Sequence, residues 1–187
     1  MVLPIRSFLL GKARLASVLD DEARADLGRR LAARVVDAGG ELPIVVVTSA
    51  PEVAAWASGR GCTVLDDPGS LDAAAARGLQ HLRAAGVARV LVVHADLPRA
   101  RSFDRLLDDG DRPVVALVPC HRDDGTTVLS LPAAAPFRFA YGPGSFRRHA
   151  AEARRLGLAV RVVRDPDLAF DVDVPDDLAA LGGPVRA

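Results

Sequence analysis

The chain has 187 residues, 50% of them hydrophobic and 26% charged, which suits one domain with a real core and rules out a disordered or fibrous composition. Its formal net charge is zero, so no global field recruits nucleic acid or an anionic membrane, and any basic function is local. Neither a secretory signal nor an apolar run of about eighteen residues is visible, and Cys62 and Cys120 lack metal-ligand or redox spacing; the expectation is a cytoplasmic chain with no nucleic-acid or membrane partner.

In chain order, apolar runs predict strands over residues 1–5, 43–49, 62–66, 89–94, 113–119, 127–131 and 160–164. Helical patterns lie over 22–38, 51–59, 71–85, 102–108, 145–156 and 175–181. Asp20 or Asp21 can cap the first helix, and Gly39-Gly40 can stop it. Pro175 suits the first position of the last helix. Alternation of strand and helix implies an α/β fold with a mostly parallel sheet covered on both faces. No repeat or linker divides residues 1–187, so a single domain is expected. The first strand is thin, because Pro4 follows only three residues; it is short, or its true start lies upstream. The stretch 110–143 breaks the alternation and predicts a loop or small hairpin over the sheet edge.

Two acidic segments carry the main chemical signal. The run Arg89–Val93 leads through His94 and Ala95 to Asp96, as a buried parallel strand does when it delivers a carboxylate to the ligand-binding edge. Asp171-Val172-Asp173 puts two carboxylates on one face if extended. Three carboxylates at one edge suit Mg²⁺, which takes oxygen ligands and is commonly shared with phosphates.

Other segments admit both a functional and a structural role. Arg6, Lys12 and Arg14, with Pro4 and Gly11, form a loop after strand one that can neutralise a triphosphate, or can be a solvated basic loop. It lacks the spaced glycines and Lys-Ser/Thr pair of a Walker A loop. Ser70, before Leu71 and Asp72, can cap a helix whose N-terminus meets an anion or base edge. Gly142 and Ser145 open a helix with free N–H groups and nearby arginines, and Gly125-Thr126 is a second small-residue loop. His94 is expected to pack at the strand end and His149 to lie on the surface. No nucleophile elbow or cysteine nucleophile motif is present.

In combination these segments resemble the 2-phospho-L-lactate guanylyltransferase family, whose actinobacterial members are phosphoenolpyruvate guanylyltransferases. The matching residues are Pro4-x-Arg6, Lys12-x-Arg14-Leu15-Ala16, the stretch 67–74, Ala95-Asp96-Leu97-Pro98, Gly125-Thr126, Tyr141-Gly142-x-x-Ser145 with His149, and Asp171-x-Asp173-x-Pro175-x-Asp177-Leu178. The resemblance implies a three-layer, Rossmann-like nucleotidyltransferase fold and transfer of GMP from GTP to phosphoenolpyruvate or 2-phospho-L-lactate, in deazaflavin coenzyme F-420 biosynthesis. It implies Mg²⁺ on Asp96, Asp171 and Asp173, with Lys12 and Asp96 catalytic. It places the phospho-acid on Thr126, Gly142 and Ser145, and the nucleotide on Pro4, Arg6, Lys12, Arg14, Ser70, Leu71 and Asp72. Asp72 stands where the family usually has Asn, and His121-Arg122 where it often has Asp-Arg. The first strand of the family is usually longer.

Two rivals remain at this level. One is a nucleotidyltransferase of the same fold acting on a sugar phosphate or molybdopterin, and the other is a non-catalytic nucleotide-binding module. The sequence is also compatible with a homodimer.

Overall fold

The computed structural model describes residues 1–109 and 112–182. Its seven strands are β1 (Val2–Pro4), β2 (Val45–Val47), β3 (Thr63–Leu65), β4 (Arg89–Val93), β5 (Val114–Pro119), β6 (Thr126–Pro132) and β7 (Ala159–Val162). The helices are α1 (Asp21–Ala38), α2 (Pro51–Ser58), α3 (Leu71–Ala84), α4 (Ser145–Arg155), α5 (Pro166–Ala169) and α6 (Pro175–Ala179). The strands form one sheet in the order β3-β2-β1-β4-β6-β5-β7. All pairings are parallel except those of β6, which runs antiparallel to β4 and β5.

Side chains alternate across the sheet, and this alternation makes three layers. Leu91 and Val93 of β4 join a core with Ala32, Val35 and Val53 from α1 and α2. Val90 and Val92 join the opposite core with Ala75 and Leu79 of α3 and Ala150 and Ala153 of α4. The buried centre is therefore apolar on both faces, as a mostly parallel sheet requires. α3 lies so close to β1 that a Cβ on Gly78 would stand 2.3 Å from Cγ1 of Val2.

The caps behave as the sequence predicts. Asp20 accepts the N–H of Ala23, Gly39 ends α1, Ser70 accepts the N–H of Ala73, and Pro175 opens α6. β1 is short, although Ile5 N–H still bonds Val47 O.

Two expectations are corrected. The hairpin β5–β6 is not an appendage lying over the sheet edge; β6 is inserted in the sheet beside β4, and only the turn 120–125 projects, at the end where β4 and β5 finish. Its residues Thr126–Leu131 are buried, so both of its faces find apolar cover only inside the sheet. Gly110 and Asp111, at the start of the predicted irregular stretch, lie outside the described residues. The helix predicted over 102–108 is a single 3-10 turn, Asp104–Leu106. The apolar spacing there reflects Phe103 and Leu106, both buried in one turn. α5 was not predicted, though Asp165 accepts N–H groups of Asp167 and Leu168 and Pro166 is its first residue, a readable start signal.

Candidate active site

The loop after β1 is fixed by Ser7 and Gly11. Ser7 Oγ donates to Glu52 Oε1 at 2.6 Å and accepts the N–H groups of Leu9 and Leu10. A Cβ on Gly11 would stand 2.8 Å from Ser7 O, so the turn needs glycine there. Lys12 then adopts a left-handed backbone (φ 56°), a conformation sparsely used by residues with a side chain.

That turn aims Lys12 at the acidic segments. Its Nζ lies 2.5 Å from Asp96 Oδ2, 2.6 Å from Val172 O and 3.5 Å from Asp173 Oδ1. Burial opposes the charge, but Asp96, Asp173 and Asp171 outweigh it and raise the Lys12 pKa. Burial likewise acts to raise the Asp96 pKa, and the field and hydrogen bond of Lys12, with His94, turn the balance downward. Asp171 is shifted up by burial first, then by its neighbours Asp96 and Asp173. Lys12 is the only lysine in a sequence otherwise supplied with arginine, a signal that singles out this position from composition alone.

The Asp171–Asp173 segment has its own supports. Asp177 Oδ2 accepts the N–H groups of Asp173 and Val174. Asp177 Oδ1 takes Arg122 Nη2 at 2.6 Å and lies 3.3 Å from His121 Nε2. His121 Nδ1 stands 3.1 Å from Asp171 Oδ1. The pair His121-Arg122 thus braces the acidic segment from the β5–β6 turn.

Among the described residues neither Asp96 Oδ1 nor Asp171 Oδ1, both buried, accepts a hydrogen bond, although His121 Nδ1 lies 3.1 Å from the latter. Hard carboxylate oxygens that accept no hydrogen bond are suitable donors for Mg²⁺. Among the described residues no group of three or more His, Cys, Asp or Glu is arranged to hold a metal ion; the ammonium of Lys12 lies between Asp96 and Asp173 instead.

A cleft of about 250 Å³ opens at this edge, lined by Pro4, Arg6, Lys12, Leu71, His94 and Asp96 among others. Of the residues assigned to a nucleotide by resemblance, Arg14, Ser70 and Asp72 do not line it. The side chain of Arg14 is largely exposed, 3.8 Å from Asp173 Oδ2. Ser70 caps α3. Asp72 Oδ1 accepts Tyr141 N–H at 2.7 Å, a role that the oxygen of an asparagine could fill equally. His94 packs at the strand end as expected, its ring 5.6 Å from that of Tyr141, and it also lines the cleft, its buried Nε2 without a hydrogen-bond partner among the described residues.

Thr126, Gly142 and Ser145 gather around the start of α4. Thr126 and Ser145 are both buried, and Ser145 N–H bonds Gly142 O at 3.0 Å. Gly142 has φ +95°. Asp124 serves the helix start: its Oδ1 accepts Gly144 N–H at 2.7 Å and its carbonyl accepts Phe146 N–H at 3.2 Å. The negative group that a helix N-terminus favours comes here from the chain itself. Arg148 ties down the preceding loop by donating to the carbonyls of Ala140, Tyr141 and Pro143.

His149 is fully buried, not on the surface as expected, because it falls one turn after Ser145 on the face of α4 that packs on the sheet. Its Nε2 accepts Ala140 N–H, so Nδ1 carries the ring proton and donates to Thr126 Oγ1 at 3.0 Å. Burial, with Arg148 and His94, lowers its pKa to about 4 against the opposing pull of Asp72. The sequence carried no sign of this partner, since Thr126 and His149 are distant along the chain.

The architecture recurs in solved nucleotide-handling proteins. A nucleotidyl transferase from Methanothermobacter is 18% identical at TM-score 0.64, covering 96% of this chain and 94% of its own. A proposed nucleotide-diphospho-sugar transferase from Desulfovibrio desulfuricans G20 is 18% identical at TM-score 0.78, covering 96% and 84%. At these identities the likeness establishes the fold, which is of the nucleotidyltransferase type. Residues 1–182 match the profile of the family described as "Guanylyl transferase CofC like", and the chain belongs to that family. The phosphoenolpyruvate guanylyltransferase of Rubrobacter xylanophilus is 38% identical, covering 96% of this chain and 91% of its own length. That of Sphaerobacter thermophilus is 36% identical over 97% and 91%. A 3-phospho-D-glycerate guanylyltransferase from Phenylobacterium zucineum is 32% identical over 94% and 86%. Among the described residues no helix is long and apolar enough to cross a membrane.

Proposed function

We propose that this chain transfers GMP from GTP to the phosphate of a small phospho-acid, phosphoenolpyruvate first among the candidates, and releases pyrophosphate. An oxygen of the acceptor phosphate forms the new bond to the α-phosphorus, and the bond from that phosphorus to the bridging oxygen of the pyrophosphate breaks. A phosphate is already an anionic nucleophile at neutral pH. The protein therefore needs to align two anions and offset their charge, with no strong general base. Arg6 and Lys12 would meet the nucleotide phosphates in the cleft, beside Pro4 and Leu71. Thr126, Gly142 and Ser145 would hold the phospho-acid. Asp96, Asp171 and Asp173 would hold Mg²⁺, which supplies charge neutralisation on phosphate oxygens.

One observation carries this assignment: a chain of the guanylyltransferase family brings a cation-lined cleft against Asp96 at the C-terminal edge of a parallel sheet. The product of such an enzyme would fit the F-420 pathway implied by the resemblance. The test is pyrophosphate release with Mg²⁺, each of the four nucleoside triphosphates, and a panel of phosphoenolpyruvate, 2-phospho-L-lactate, 3-phospho-D-glycerate and a sugar phosphate. Release with GTP and phosphoenolpyruvate, lost in Asp173→Ala, is expected. Turnover only with the sugar phosphate, or none with any pair, overturns it.

A further inference from the structure

The ammonium of Lys12 donates to Asp96 and to Val172 O and lies 3.5 Å from Asp173 Oδ1, so it stands among the carbonyl and carboxylate oxygens of the acidic edge. It arrives there on a fixed backbone: Gly11 closes on Ser7 O, Lys12 is left-handed, and Leu15 N–H bonds Lys12 O at 2.9 Å. Asp96 Oδ1, which accepts no hydrogen bond, and Asp171, whose carboxylate feels those of Asp96 and Asp173, belong to the same acidic cluster. Mg²⁺ sits about 2.1 Å from its oxygen ligands. An ion bound between Asp96 and Asp173 would therefore fall on or beside the Lys12 nitrogen, and two cations so close repel strongly. The edge holds one of them at a time.

We propose that Lys12 is an internal cation that keeps Asp96 and Asp173 in place and excludes a divalent ion until nucleotide phosphates draw the ammonium away. Metal binding then depends on nucleotide binding, and by linkage the dependence is mutual. Lysine suits this task better than arginine, because its charge is compact and rides on a flexible four-carbon stem. The inference rests on the assignment of the three aspartates to the metal.

The experiment titrates Mn²⁺ alone, without nucleotide, into the full chain and follows free Mn²⁺ by electron paramagnetic resonance. Wild type, Lys12→Met and the double variant Lys12→Met/Asp171→Asn are compared, with circular dichroism as the check on folding. Lys12→Met should bind Mn²⁺ about tenfold more tightly than wild type or better, as removal of an adjacent charge requires, and the double variant should lose that gain. Equal affinity in wild type and Lys12→Met, lost on Asp171→Asn, overturns the exclusion by Lys12 while the aspartate site stands. No binding in Lys12→Met, or binding indifferent to Asp171→Asn, overturns both. An unfolded Lys12→Met is replaced by Lys12→Gln, which is judged by the same outcomes.

Discussion

The carboxylate of Asp177 accepts the backbone N–H of Asp173 at 2.8 Å and, with the same oxygen, that of Val174 at 2.9 Å. A side chain at the start of α6 thus sets the direction of the Asp171–Asp173 segment. Burial acts to raise its pKa, but Arg122 and the two N–H groups hold it below the usual carboxylate range.

Asp177→Ala should cost on the order of 2 kcal/mol of stability, because two N–H groups and Arg122 lose a buried acceptor. It should also lower kcat by misdirecting Asp173. Denaturant unfolding and steady-state kinetics check both. The depressed pKa means that this contribution is present above the unfolded pKa and lost as pH falls through the folded one. An Asp177→Ala variant with wild-type stability at pH 7 would show that the bonds contribute nothing net.

Ser145→Ala should raise KM for the phospho-acid and leave KM for GTP nearly unchanged. Ser145 lies at the start of α4, away from the cleft lined by Arg6 and Lys12. A matching rise in KM for GTP would mean that the two subsites have been exchanged.

Gly78→Ala should destabilise the fold by about 1–3 kcal/mol, the usual range for overpacking. In an exposed helix the same change would stabilise by up to about 1 kcal/mol. Here the new methyl meets the β-branched side chain of Val2, itself fully buried. Thermal unfolding decides: a Tm equal to or above wild type refutes the clash.

His149 should make stability acid-sensitive in a defined window. Its folded pKa is about 4 against 6.5 for the free side chain, so the unfolded chain binds the extra proton between those values. Stability is full above pH 6.5 and falls by on the order of 3 kcal/mol as pH drops toward 4. In His149→Gln the loss of stability between pH 7 and 4.5 should be smaller than in wild type, by chemical denaturation. An equal loss in both proteins would remove His149 as its cause.

Most strands and caps were legible, because buried apolar runs and the cap residues Asp20, Ser70 and Pro175 are local signals. The placement of β6 was not. An apolar strand buried on both faces reads the same in either direction, and its pairing with β4 is a tertiary event. At the site, Asp96, Asp171 and Lys12 were legible as types that suit phosphate chemistry, and the structure gathers them. The support by Asp177, His121, Arg122 and Asp124 was hidden, since each acts on a segment remote in sequence or on a backbone group. His149 misled because helix α4 is arginine-rich, and its buried stripe holds only small residues beside it.

The reversed direction of β6 has a consequence for how such a chain can diversify. Every other strand reaches the ligand edge with its last residues, whereas β6 reaches it with its first, Thr126. The hairpin turn 120–125 therefore overhangs that edge, joined to the sheet by a strand bonded on both sides. Apart from His121, Arg122 and Asp124, which hold the acidic segment and the start of α4, residues can be inserted or exchanged in this turn without changing any register in the half built from β1 to β4. Evolution can retool the proposed acceptor side there while the half that carries the cleft of Arg6 and Lys12 is inherited intact.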